Sequence, residues 1–159
     1  MKTIVIFDSI YGNTKAIAEA IGQGITGDVK VLNIKDADIS DLKNLGLLIV
    51  GSPTHGGKPS KVTKAFLENI PKNALKNIHI AAFDTGISSE GKGYFMRTII
   101  NLFAYAAKPL LDSLKKKGGI AVAEPEGFIV EGREGPLKEG ELDRATQWAR
   151  GISQKLDKA

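Results

Sequence analysis

Apolar residues along the chain fall into two rhythms. Short, nearly continuous apolar runs occupy residues 3–7, 29–34, 47–50, 78–83 and 120–123, mostly bounded by Gly, Asn, Asp or Pro, and predict five strands. Between them apolar positions recur every three or four residues, the spacing of one helix face. Ile17, Ile21 and Ile25 predict a helix from Thr14 to about Ile25. Val62, Phe66 and Ile70 predict another over 59–70, with Pro59 in its first turn. Phe95, Ile99, Leu102, Phe103 and Ala106 predict a helix from Tyr94, broken near Lys108 by Pro109, with a second segment through Lys117. Leu142, Ala145, Ala149, Ile152 and Leu156 predict a closing helix, on whose broad apolar face Trp148 reads as core. Residues 36–44 are polar and predict only a brief helix or an irregular crossover.

Strands alternating with helices imply an α/β protein with a mostly parallel sheet covered on both faces. Leu47-Leu48-Ile49-Val50 carries no polar residue, as suits a central strand buried on both sides. A length of 159 residues with no repeat, linker or low-complexity stretch predicts a single domain over 1–159.

Composition narrows the chemistry. The chain has no Cys, which excludes disulfides, thiolate chemistry and Cys-ligated metal or iron–sulfur sites. No apolar run is long enough to span a membrane and no secretory leader pattern is evident, so a cytoplasmic protein is expected. His55 and His79 lack metal-ligand spacing, and no metal site is expected. The formal net charge is +4, although residues 124–143 hold seven acids against Arg133 and Lys138. The remainder is distinctly basic, and its densest cluster, Lys115 to Lys117, suits a solvated helix end. No nucleic-acid motif accompanies the charge, so nucleic-acid binding is not expected.

The opening strand runs into a small polar loop and then a helix, the arrangement with which α/β proteins bind phosphate. The first N–H groups of the helix have no internal partner, Gly12 permits close approach or positive φ, and Ser9 and Thr14 offer hydroxyls. No Lys or Arg lies within the loop, which is not a Walker A motif and suits a phosphate held by neutral donors. Val5, Ile6, Phe7, Ser9, Gly12, Thr14, Ala18 and Ile21 each fall where the N-terminal signature of the flavodoxin family requires that residue type. On these positions the chain resembles that family. The resemblance implies a doubly wound five-stranded sheet of order 2-1-3-4-5, with helices on both faces. It also implies that Ser9, Ile10, Tyr11, Gly12, Asn13 and Thr14 bind the phosphate of FMN.

Two further loops gain meaning from the same resemblance. Gly51 to Ser60 corresponds to a ring-contacting loop, placing Pro53, Thr54, His55, Gly56 and Gly57 against the isoalloxazine. Asp84 to Tyr94 corresponds to the second ring loop, with Asp84, Thr85, Gly86 and Tyr94 as contacts. The chain departs from the common pattern, with His55 where many flavodoxins place Trp and no aromatic in the second loop before Tyr94. Residues 121–130 resemble the family's fifth strand and leave no room for the insertion of its long-chain members.

The implied function is that of a short-chain flavodoxin, an FMN-dependent carrier shuttling low-potential electrons between redox proteins. Lys58, Lys61 and Lys92 in or beside the loops suggest partners with acidic docking surfaces. An FMN-dependent quinone or protoporphyrinogen oxidoreductase of the same fold is the first alternative, and a flavin-free signalling or interaction domain the second. Asp8 after the first strand would suit a phosphoacceptor. However, the third and fifth strands end in Gly51-Ser52-Pro53 and Ala123-Glu124-Pro125, without the second acid cluster and downstream Lys that chemistry needs.

Overall fold

A computed structural model of the chain describes residues 1–87 and 106–159. Its strands are β1 (Lys2–Phe7), β2 (Asp28–Asn33), β3 (Leu47–His55), β4 (Lys58–Pro59), β5 (His79–Ile87), β6 (Ile120–Ala121) and β7 (Glu126–Val130). The helices are α1 (Asn13–Gly24), α2 (Lys61–Asn69), α3 (Ala107–Lys116) and α4 (Glu141–Asp157). A short 3-10 turn, Ile39–Leu42, fills the crossover that the sequence left ambiguous, and a reciprocal Asp38–Asp41 capping box starts it.

The sheet runs β2-β1-β3-β5, and β6 and β7 both pair with the far edge of β5. All these pairings are parallel, so the sheet has the expected doubly wound order with its fifth strand divided in two. Strand alternation sorts side chains to the two faces. Ile4 and Ile6 of β1 join Leu48, Val50, Leu67, Ile70, Leu110 and Leu114 in one core cluster, under α2 and α3. Val5 and Phe7 point the other way and join Ile17, Ile21, Phe83, Phe128, Ala145 and Ile152, under α1 and α4. Trp148 packs against this second cluster and meets the Phe128 ring edge-on at 6.2 Å, as its helical spacing predicted.

Several boundaries differ from the pattern, each for a physical reason. Strand β3 continues past Val50 because β5 continues beside it, pairing Ser52 with Asp84 and Pro53 with Thr85. Pro59 lies in β4, not in the first turn of α2; Ser60 is the N-cap instead, its Oγ accepting from Thr63 N–H. That start turns Thr63 and Leu67 inward and leaves Val62 45% exposed. Leu142 is likewise exposed, while Glu141 and Ala145 are buried. Pro109 occupies the first turn of α3, where a missing N–H breaks no helical bond. The remainder of the helix expected from Tyr94 lies outside the described residues.

Candidate functional site

The carboxyl ends of β1, β3 and β5 bring the three sequence loops to one end of the sheet. Strand β1 hands over at Asp8, whose N–H donates to Gly51 O at 3.1 Å. The loop then turns on itself: Gly12 N–H donates to Ser9 Oγ at 3.1 Å, and Gly12 takes φ 92° as the N-cap of α1. A side chain at Gly12 would enter open space, but the left-handed backbone there favours glycine. The first α1 bond runs from Ala16 N–H to Gly12 O at 3.0 Å. The N–H groups of Asn13, Thr14 and Lys15 therefore have no hydrogen-bond acceptor among the described residues, and no side chain caps them. Ile10 and Tyr11 stand exposed beside them.

The hydroxyl of Thr14 is not turned to solvent. It is buried, 2.7 Å from the Thr85 hydroxyl at the end of β5, and so ties the first loop to the third. Asn13 reaches the other way, its Nδ2 donating to Glu134 O at 3.1 Å. The donors this loop offers an anion are thus backbone N–H groups at a helix start, backed by side chains fixed from two other segments.

The second loop is a hairpin rather than an open loop. Thr54 pairs with Pro59 and His55 with Lys58, around Gly56 at φ 56° and Gly57 at φ 77°. Positive φ at both central residues suits the twist of flanking strands and favours glycine strongly. Ser52 fixes the base of this hairpin, accepting from Ser60 N–H and donating to Pro53 O, both at 2.9 Å. His55, Gly56 and Gly57 project into solvent, whereas Thr54 Oγ1 is buried and lies beside the Asp84 carboxyl.

In the third segment, Asp84 and Thr85 are buried and Gly86 half-buried. Asp84 Oδ2 accepts Ala106 N–H at 2.7 Å and Ala107 N–H at 3.0 Å, filling the start of α3. Burial pushes the Asp84 carboxyl above its ordinary value, against the lowering effect of these two bonds. Its side chain is thereby engaged within the protein. Tyr94 lies outside the described residues.

Beside this end of the sheet, β7 is clamped by α4, an arrangement the sequence did not reveal. Glu141 accepts Ile129 N–H at 2.6 Å, and Arg144 Nε donates to Glu141 Oε1 at 2.8 Å. Arg144 also donates to Gly127 O, pairs with Glu126 at 3.0 Å and stacks over the Phe128 ring at 4.5 Å. Burial would raise the Glu141 carboxyl, but the bonds from Arg144 and Ile129 hold it below its ordinary value. The i, i+3 spacing of Glu141 and Arg144 was visible; that both reach β7 was not. Among the described residues no cluster of His, Asp or Glu could hold a metal ion.

The flavodoxin family model matches residues 5–148. A flavodoxin from the domain Archaea shares the fold with a TM-score of 0.76 at 24% identity, with 99% of each chain covered. Oxidised flavodoxin 2 from Bacillus cereus gives a TM-score of 0.75 at 23% identity, covering 98% of this chain and 99% of that one. Rubredoxin oxygen:oxidoreductase from Desulfovibrio gigas gives 0.73 at 21% identity, but this chain, 99% covered, spans only 36% of it. No curated protein sequence matches. With the family model spanning nearly its whole length, and a sheet order and phosphate-type loop that agree with it, the chain belongs to the flavodoxin family, whose cofactor is a flavin.

Proposed function

We propose that the protein binds FMN and carries electrons between redox proteins. The observation that supports this most is the open start of α1: three backbone N–H groups without acceptors among the described residues, at the end of β1 in a flavodoxin fold. The residues present fit a phosphate monoester. Asn13, Thr14 and Lys15 would hold it through their N–H groups, and no acidic residue stands in the first turn to repel it. The bound flavin would supply the electron-accepting and electron-donating chemistry. The protein's part is to grip the phosphate, present the ring between the Gly56–Gly57 hairpin and the Thr85–Gly86 segment, and leave one edge open to a partner. Lys58 and Lys61, both exposed, suit partners with acidic docking faces; Lys92 lies outside the described residues. Among the described residues no helix is long and apolar enough to cross a membrane.

The test is flavin binding followed by turnover. The protein should take up one FMN per chain and bind it at least about a hundredfold more tightly than riboflavin, equivalent to about 2.7 kcal/mol from the phosphate. Equal affinity for the two flavins would remove the phosphate assignment. Steady-state reduction of a quinone by the isolated holoprotein, at rates rivalling transfer to a protein acceptor, would replace the carrier with an oxidoreductase.

A further inference from the structure

A second concavity opens on the α2 side of the sheet, against the back of the hairpin. It encloses about 780 Å³ and is lined by Asp8, Ser9, Lys35, Ser60, Val62 and Lys64, with Lys58 and Lys61 completing its cationic rim. Strand alternation explains why Asp8 faces it. Ile4 and Ile6 point toward α2, and Asp8 continues that series one step past the strand. Asp8 is only 5% exposed, yet its carboxylate makes no hydrogen bond or ion pair within the described residues. None of Lys35, Lys58, Lys61 and Lys64 forms a salt bridge there either.

The Asp8 oxygens reach the water of the cleft and the four lysines around it are exposed, so the cleft sets one acceptor carboxylate inside a solvated cationic rim. Here they share one cleft and do not meet, since no lysine nitrogen comes within 4.0 Å of the carboxylate. A bare cation would be repelled by four ammonium groups and a bare anion by Asp8. A ligand with both a donor and an acidic group satisfies each part. The start of α2 adds to the acidic side: Ser60 Oγ takes Thr63 N–H, but the N–H groups of Lys61 and Val62 have no acceptor among the described residues. Exposed Val62 and the buried ring of Pro59 supply apolar wall, and the volume lies within the range of small-molecule sites.

We propose that this cleft is a second ligand site for a small hydroxylated organic anion, such as a sugar phosphate or hydroxy acid, whose hydroxyl donates to Asp8 while its acidic group is held by the lysine rim. The site shares Ser9, Ile10 and His55 with the flavin loops but opens toward α2, whereas the N–H groups of Asn13, Thr14 and Lys15, unpaired among the described residues, belong to α1. A ligand there would lie directly behind the flavin hairpin.

The test is a titration of the full chain, loaded with one equivalent of FMN, followed through the backbone amide signals of Lys35, Lys61, Val62 and Lys64. Ribose 5-phosphate and citrate are the probes, and sulfate is the anion without a donor. At least one hydroxylated probe should shift these amides saturably and bind about tenfold more tightly than sulfate. The variant Asp8→Asn should weaken the hydroxylated probe several-fold while tightening sulfate, because it removes both a strong acceptor and a like charge. Joint replacement of Lys58, Lys61 and Lys64 by Gln should weaken every probe. Tightening of all probes alike by Asp8→Asn would leave only a bare anion cleft and overturn the proposal. So would the absence of saturable shifts, or movement of these same amides on adding FMN, which would make the cleft part of the flavin site. A lower melting temperature of unliganded Asp8→Asn would also overturn it, by showing that a lysine already pairs with Asp8. The amides of Asn13 and Thr14 report the flavin phosphate separately, so failure of either site is visible on its own.

Discussion

Helices α1 and α3 begin at the same end of the sheet, close to the same strand, and treat their starts in opposite ways. The start of α3 is filled by the buried carboxylate of Asp84, which reaches across from β5 to take two N–H groups. The start of α1 has a left-handed glycine, no side-chain cap and no acid in its first turn. Both starts carry the same partial positive charge. The protein fills one from within and leaves the other without an acceptor among the described residues, so under the proposed function an anion site is marked less by a helix N-terminus than by the missing internal acceptor. Helix α4 makes the point a third time: it too starts at a left-handed glycine without a side-chain cap, but Glu141 and Asp143 occupy its first turn.

Emptying the filled start should have the largest effect. Asp84→Ala would strand two buried N–H groups and should cost about 3 kcal/mol in urea unfolding, with Asp84→Asn costing less because one oxygen acceptor remains. The pH dependence provides a second check. Because the folded-state carboxyl lies above its ordinary 3.8, Asp84 favours folding most at low pH, and this contribution declines as pH rises from that value toward the raised one. The Asn variant should lose that decline. An unchanged pH profile would mean that the carboxyl titrates alike in folded and unfolded chains.

The α4 start offers the reverse sign. Glu141→Ala should cost about 2 kcal/mol, since Ile129 N–H and the Arg144 guanidinium would both lose a buried acceptor. Here the folded carboxyl lies below its ordinary 4.5, so its contribution is present above that value and fades as pH falls through it. Acid titration of stability should therefore be shallower in the variant. Giving α1 an acid of its own, by Lys15→Glu, should instead act on the ligand. FMN affinity is expected to fall about tenfold with riboflavin changed less than twofold, most visibly at low salt. Equal losses for both flavins would mean that the phosphate does not sit at this start. The smallest effect is expected at the hairpin, where Gly56→Val should cost about 1 kcal/mol through its left-handed backbone, as the Cβ itself would meet nothing. A thermal shift indistinguishable from zero would show that the hairpin rearranges freely.

What could be read from the chain beforehand was local. The run 3–7, the triplet Ile17, Ile21, Ile25 and the Gly pair at 56–57 each report their own neighbourhood, and each stands where its pattern placed it. The strand–turn–helix arrangement at residues 2–24 was legible for the same reason, as its parts are contiguous. Pairings that join distant residues were not. Thr14 and Thr85 are separated by 71 positions, so nothing local reveals that a hydroxyl read as a ligand donor ties two loops together. Asp84 read as a ring contact, because its helix partners lie more than twenty residues later. Val62 and Leu142 read as core because four-residue spacing fixes a stripe but not its rotation about the helix axis. Ser60 and Gly140, as caps, set where each helix starts, and the adjoining faces follow. Asp8 was noticed as an acid after a strand, but its place in a basic cleft depends on the end of β2, the hairpin and the start of α2 meeting around it.

The division of the fifth strand has a consequence for self-association. An unbroken outer strand would offer a long row of backbone donors and acceptors to a neighbouring molecule. Here β6 contributes only two residues and β7 five, with residues 123–125 leaving the sheet after Val122 N–H makes a last bond to Ile80 O. The outer side of β7 is taken as well, since Lys138 N–H donates to Ile129 O and Glu131 N–H to Pro136 O as the chain returns. That margin is too short and too well covered to template another chain. The opposite margin, β2, presents six consecutive residues, and any growth of the sheet by strand addition would have to begin there.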